Sequence, residues 1–144
     1  MKILCPYCHE PARLIDSAQV YHGRSFGMIW ACAPCDAYVG THKNSEGHAP
    51  LGTLANKELR SWRHRAHAVF DPLWERKMRR DKISQNVARE KGYAWLVKEL
   101  GIEREQCHVG MMNLEQCKKV VELCQVYNPS KERTHGMQMR EGRT

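Results

Sequence analysis

The chain has 144 residues, 42% of them apolar, enough for one ordinary domain or two very small ones, and too apolar for a disordered polymer. No stretch approaches the roughly 18 to 20 apolar residues of a membrane span, and MKILCPYCHE lacks the apolar run of about 7 to 15 residues that a signal peptide needs, so a cytoplasmic protein is expected. The net charge of +7 argues against an acidic mimic of DNA and for a polyanionic partner.

In chain order, the first forty residues read as two cysteine knuckles joined by a β-hairpin. Cys5-Pro-Tyr-Cys8 is a tight turn, Ala12 to Val20 can run as a strand, and Tyr21 to Arg24 turn the chain. Phe26 to Ala31 returns as a second strand, delivers Cys32-Ala-Pro-Cys35, and leaves Ala37 to Gly40 as a short third strand. Residues 41–53 have the Gly, Ser, Asn and Pro content of a loop. Thr53 is placed to cap a helix from about Leu54 to Phe70, and Asp71-Pro72 predicts a break, because Asp caps and Pro opens helices. A second helix then runs to Lys82. A third starts after Ser84 and stops at Gly101. Asn113 with Gln116 forms a capping box for a last helix over 114–126, whose apolar face is Cys117, Val120, Val121 and Cys124. The polar stretch 128–144 reads as a mobile tail. The predicted class is α+β: a zinc ribbon over 1–40, a loop over 41–53, and a small helical domain over 54–127 on which the ribbon packs.

The seven cysteines are odd in number, and four fall in two CxxC pairs with 23 residues between them. In a reducing compartment that pattern reads as metal binding. Two thiolates on each turn fill two vertices of a tetrahedron, so Cys5, Cys8, Cys32 and Cys35 are the predicted zinc ligands. Four thiolates leave no open position, which makes the zinc structural. A second zinc on Cys107, His108, Cys117 and Cys124 is not expected: no CxxC pair is present, and Cys117 and Cys124 share an apolar helix face.

The excess charge is local. Residues 57–91 hold eleven basic and five acidic side chains. Arg60, Arg63, Arg76, Lys77, Arg79, Arg80 and Lys82 are the candidate nucleic-acid contacts, since such side chains neutralise phosphates and release counterions. Arg65, Arg89 and Lys91 surround them, and Trp62, Trp74 and Tyr93 would stack on bases if exposed. The competing reading is a solvated helix face with its aromatics turned inward. His42, His48, His64 and His67, with Asp71 close behind, are the candidates for a metal-dependent nuclease site, His42, His67 and Asp71 foremost, and capping alone accounts for Asp71.

The pieces CPYC, SFGMIWACAPCDAYVGTHK, PLGTLANKELRSWRHRAH and FDPLW resemble a family of phage and prophage proteins described as zinc-finger-containing domains. The stretches YAWLVKELGI and CHVGMMNLEQCKKVVELC resemble the other half of the same proteins, so the likeness covers about residues 3–126. It implies a zinc-binding protein of phage or prophage type, working in the cytoplasm of a bacterial host cell, and it implies no mechanism. The leading expectation is a non-enzymatic accessory protein that binds nucleic acid. The alternative is a protein-binding module that inhibits or redirects a host defence or transcription machine, and the third is the nuclease.

Overall fold

A computed structural model describes residues 2–127; the expected tail over 128–144 lies outside them. The class is α+β, with a three-stranded antiparallel sheet followed by three α-helices. The described residues divide into two compact units, the first ending at Ser61 and the second beginning at Trp62.

In the first unit the strands β1 (Arg13–Asp16), β2 (Met28–Cys32) and β3 (Ala37–Gly40) lie in chain order. Leu14 pairs with Trp30, Trp30 with Val39, and Cys32 with Ala37, so strand alternation puts these side chains on one face. That face gathers Cys5, Ala12, Trp30, Cys32, Ala37 and Leu54 into a core. Arg13, Ala31 and Tyr38 fall on the other face. β1 is shorter than the Ala12–Val20 expectation. Asp16 accepts a hydrogen bond from the Ala18 N–H at 2.8 Å and turns the chain into a 3-10 turn over Ser17–Gln19. A short polar side chain competing for nearby backbone groups ends a strand in this way.

The 41–53 segment folds back along β3. Thr41 bridges Pro50, the Leu51 N–H donates to Gly40 O, and Tyr38 and Ala55 exchange both backbone bonds. The Trp30 indole donates to His48 O at 2.8 Å, tying this segment to the core.

Helix α1 (Lys57–Asp81) is capped by Asn56, whose Oδ1 accepts from the Leu59 N–H at 3.0 Å. The break expected at Asp71-Pro72 does not occur: Pro72 lies inside α1. An interior proline costs about 3 kcal/mol. Phe70 and Trp74 flank it, both buried, and burying a Phe-sized side chain contributes about 1.5–3 kcal/mol each time. Two such anchors offset the proline. Asp71 is no cap; it accepts from the Trp74 indole N–H at 3.0 Å within the helix. α1 ends with Lys82 in the left-handed region and the Ile83 N–H bonded to Met78 O, a Schellman closure without glycine.

The remaining two helices follow their sequence signals. α2 (Gln85–Leu100) has Ser84 as its cap and Gly101 at φ 67° as its stop. α3 (Leu114–Gln125) has both reciprocal bonds of the Asn113/Gln116 box and buries Cys117, Val120, Val121 and Cys124. In the second unit's core the rings of Phe70 and Tyr93 meet at 4.9 Å.

Candidate metal centre and basic surface

Each CxxC pair sits on a tight turn with the same backbone logic. After Cys8, His9 adopts φ 67° and its N–H donates to Cys5 O; after Cys35, Asp36 adopts φ 51° and its N–H donates to Ala33 O. A left-handed residue directly behind each pair curls the backbone so that both sulfurs of the pair face inward. The hairpin β1–β2 carries the second knuckle to the first. All four Sγ atoms lie within 4.8 Å of one another, and those of Cys8 and Cys32 are 3.7 Å apart. A tetrahedral site with Zn–S near 2.3 Å has sulfur–sulfur edges of about 3.8 Å. The donor set fits zinc in number, type and spacing.

Without a cation the clustered thiols do not all ionise together. Burial pushes the Cys35 thiol up, and its three sulfur neighbours add to this, to about 12. Burial also raises Cys5, but the N–H groups of Cys8 and Tyr7 outweigh it and hold the thiol below its ordinary value. A divalent ion removes the mutual repulsion and displaces the protons. A family model described as a zinc-finger-containing domain matches residues 1–127. The chain belongs to that family. No curated protein and no solved structure matches it. In this zinc-finger-containing domain Cys5 and Cys32 are buried in the first unit's core and Cys8 and Cys35 pack against it, so four thiolates would fill the coordination sphere of a zinc ion that supplies folding energy and not an open catalytic position.

Among the described residues the four cysteines are the only group of three or more His, Cys, Asp or Glu side chains placed to hold a metal. His42 is exposed in the first unit. His67 and Asp71 are in the second, paired at 3.4 Å one helical turn apart. Cys107, Cys117 and Cys124 are each buried without such a grouping.

The sequence-predicted cations divide by what they touch. Arg60 donates to the carbonyls of Asp36 and Ala55 and lies 4.1 Å over the Tyr38 ring. Arg63 makes two hydrogen bonds to Met112 O. Both thus brace backbone. Arg79 and Lys82 are exposed and have no ion pair among the described residues. Lys77 and Arg80 share Asp81, each at 3.0 Å, and hydrogen bonds from these two hold that carboxyl down to about 2. Arg76 donates to Tyr127 O. Trp74 and Tyr93, expected as stacking candidates if exposed, are core residues at 7% and 4% exposure.

Sequence reasoning missed how these cations meet aromatics. In the second unit a groove of about 560 Å³ is lined by Phe70, Trp74, Trp95 and Tyr127 on one hand and by Arg76, Lys77, Arg80 and Lys91 on the other. Trp95 and Tyr127 meet edge to face at 5.9 Å. Helical spacing was the available signal: Lys91 and Trp95 are four apart on α2, as Arg76 and Arg80 are on α1.

Proposed function

We propose that the chain is a zinc-stabilised, non-enzymatic accessory protein of phage or prophage that binds nucleic acid through the basic surface of its second unit. The groove supports this reading: four cations border an aromatic lining, and no carboxylate is among its lining residues. Asp81 stands beside two of the cations, but exposed ion pairs are weak and salt-screened, so a phosphate can take its place.

The test is fluorescence anisotropy of labelled DNA and RNA against salt. Four phosphate contacts give a log–log slope of about −3.6 on duplex and about −2.8 on single strands. The triple reversal Arg76→Glu, Arg79→Glu, Arg80→Glu should weaken binding similarly on all sequences, because phosphate contacts position without specifying. Wild-type protein that binds no nucleic acid at low salt would refute the proposal. A salt-dependent complex with an acidic polypeptide in its place would assign the surface to protein docking, the host-machine alternative.

A further inference from the structure

The first unit carries an exposed aromatic cluster that the charge map gives no reason to expect, since residues 1–56 hold equal numbers of acidic and basic side chains. Three rings run in a row. Tyr38 meets Tyr21 edge to face at 6.1 Å, and Tyr21 meets Phe26 edge to face at 5.4 Å. A guanidinium stands at each end: Arg60 over Tyr38 at 4.1 Å, and Arg24 over Phe26 at 5.6 Å. Tyr38 belongs to the sheet face opposite Trp30, so the row is separate from the cysteine core.

Phe26 is 68% exposed and Tyr21 40%. Phe26 is nevertheless held in place. Its N–H donates to Ser17 Oγ at 2.7 Å, Ser17 is 1% exposed, and the Ser17 N–H donates to Gly27 O at 2.9 Å. Ser17 O also accepts from the N–H groups of Val20 and Tyr21, each at 3.0 Å, so one buried serine ties down both the turn that carries Tyr21 and the loop that presents Phe26. A ring held outward on an ordered loop is preorganised, so a ligand meets it without ordering the chain. Arg24 has no carboxylate partner among the described residues.

We propose that Phe26, Tyr21 and Arg24 form a stacking platform for an unpaired nucleobase, with Arg24 taking the adjoining phosphate. An exposed flat ring beside an unneutralised guanidinium matches a nucleotide, which presents a flat aromatic face next to an anion. Duplex does not fit, because its bases already stack on each other. The proposal rests on the nucleic-acid reading above and adds to it a second site, in the other unit, selective for single strands.

The experiment uses the full chain loaded with zinc, a labelled oligothymidylate, and a labelled duplex. Phe26→Ala should weaken single-strand binding about 5- to 150-fold and leave duplex binding unchanged. Phe26→Trp should retain single-strand binding, and one zinc per chain in each variant confirms the fold. Irradiation of the wild-type complex should cross-link the oligonucleotide to the peptide holding Tyr21 and Phe26. Single-strand affinity unchanged in Phe26→Ala, while the Arg76/Arg79/Arg80 reversal still weakens it, would overturn the platform and leave the groove reading standing. Loss in Phe26→Ala with no effect of the reversal would do the opposite. Wild-type protein that binds neither probe overturns both, and a cross-link from Phe26 to a polypeptide alone makes the patch a protein contact.

Discussion

Gly92 tests the packing that shapes the basic groove. It lies on α2, and a Cβ built there would stand 3.0 Å from Cζ and 3.3 Å from Cε1 of Phe70, with Trp74 Cβ at 3.4 Å. Two effects oppose each other in Gly92→Ala. Alanine favours the helix by about 0.8–1.0 kcal/mol. Overpacking a closed core costs about 1–3 kcal/mol. The second wins if the ring cannot move, and the structure leaves it little room: Phe70 is fully buried and its ring abuts Tyr93. Gly92→Ala should therefore destabilise the protein by about 1 kcal/mol. Urea denaturation of zinc-loaded protein, followed by the helical circular dichroism signal, reads the change. The Phe70→Leu background removes the ring carbons that the new methyl would strike. There Gly92→Ala should instead stabilise by up to about 1 kcal/mol, so the substitution changes sign. A Gly92→Ala single variant more stable than wild type would refute the argument, because it would mean that the buried ring yields freely.

Elemental analysis of reduced protein should return one zinc per chain, and Cys5→Ser or Cys35→Ser should unfold the first unit, since structural zinc supplies on the order of 10 kcal/mol in small fingers; protein free of zinc would end the assignment. Cys117 and Cys124 should resist thiol reagents in the folded state, burial having raised both thiols and pushed Cys124 up to about 12, and serine at either should cost about 1–3 kcal/mol; rapid labelling of both would contradict the packing of α3. His9→Gly should stabilise the first knuckle by about 0.5–1 kcal/mol, because His9 holds a left-handed backbone that glycine adopts without strain; a loss of stability in thermal melts of the zinc-loaded variant would show that its imidazole does something more.

The parts of this molecule that were legible in its sequence are those fixed by a few neighbouring residues. The paired cysteines announce their ligand set because zinc chemistry demands that spacing. Asn113 with Gln116, Ser84 and Gly101 announce helix ends because a cap is a local bargain between one side chain and one backbone group. Pro72 misled for the same reason. As a local signal it reads as a helix start, whereas burial of Phe70 and Trp74, a tertiary effect, carries α1 through it. Arg60 and Arg63 counted as free charge until the carbonyls of Asp36, Ala55 and Met112 appeared beside them. The row Tyr38, Tyr21, Phe26 was invisible because its members come from a turn, a loop and a strand that only the sheet brings together.

The metal's place in the core has a consequence for the cell's own zinc supply. The ligands join residue 5 to residue 35, and a cross-link over a loop of about thirty residues removes roughly 3 to 4 kcal/mol of freedom from an unfolded chain. The ligand sulfurs of Cys5 and Cys32 are also part of the apolar cluster around Trp30, so the ion and the hydrophobic contacts come and go together. Stability of the first unit then follows mass action. Above the dissociation constant, each tenfold fall in free zinc lowers it by about 1.4 kcal/mol, with no change in sequence or temperature. Its folded fraction is thus a gauge of the zinc that its surroundings leave unbound.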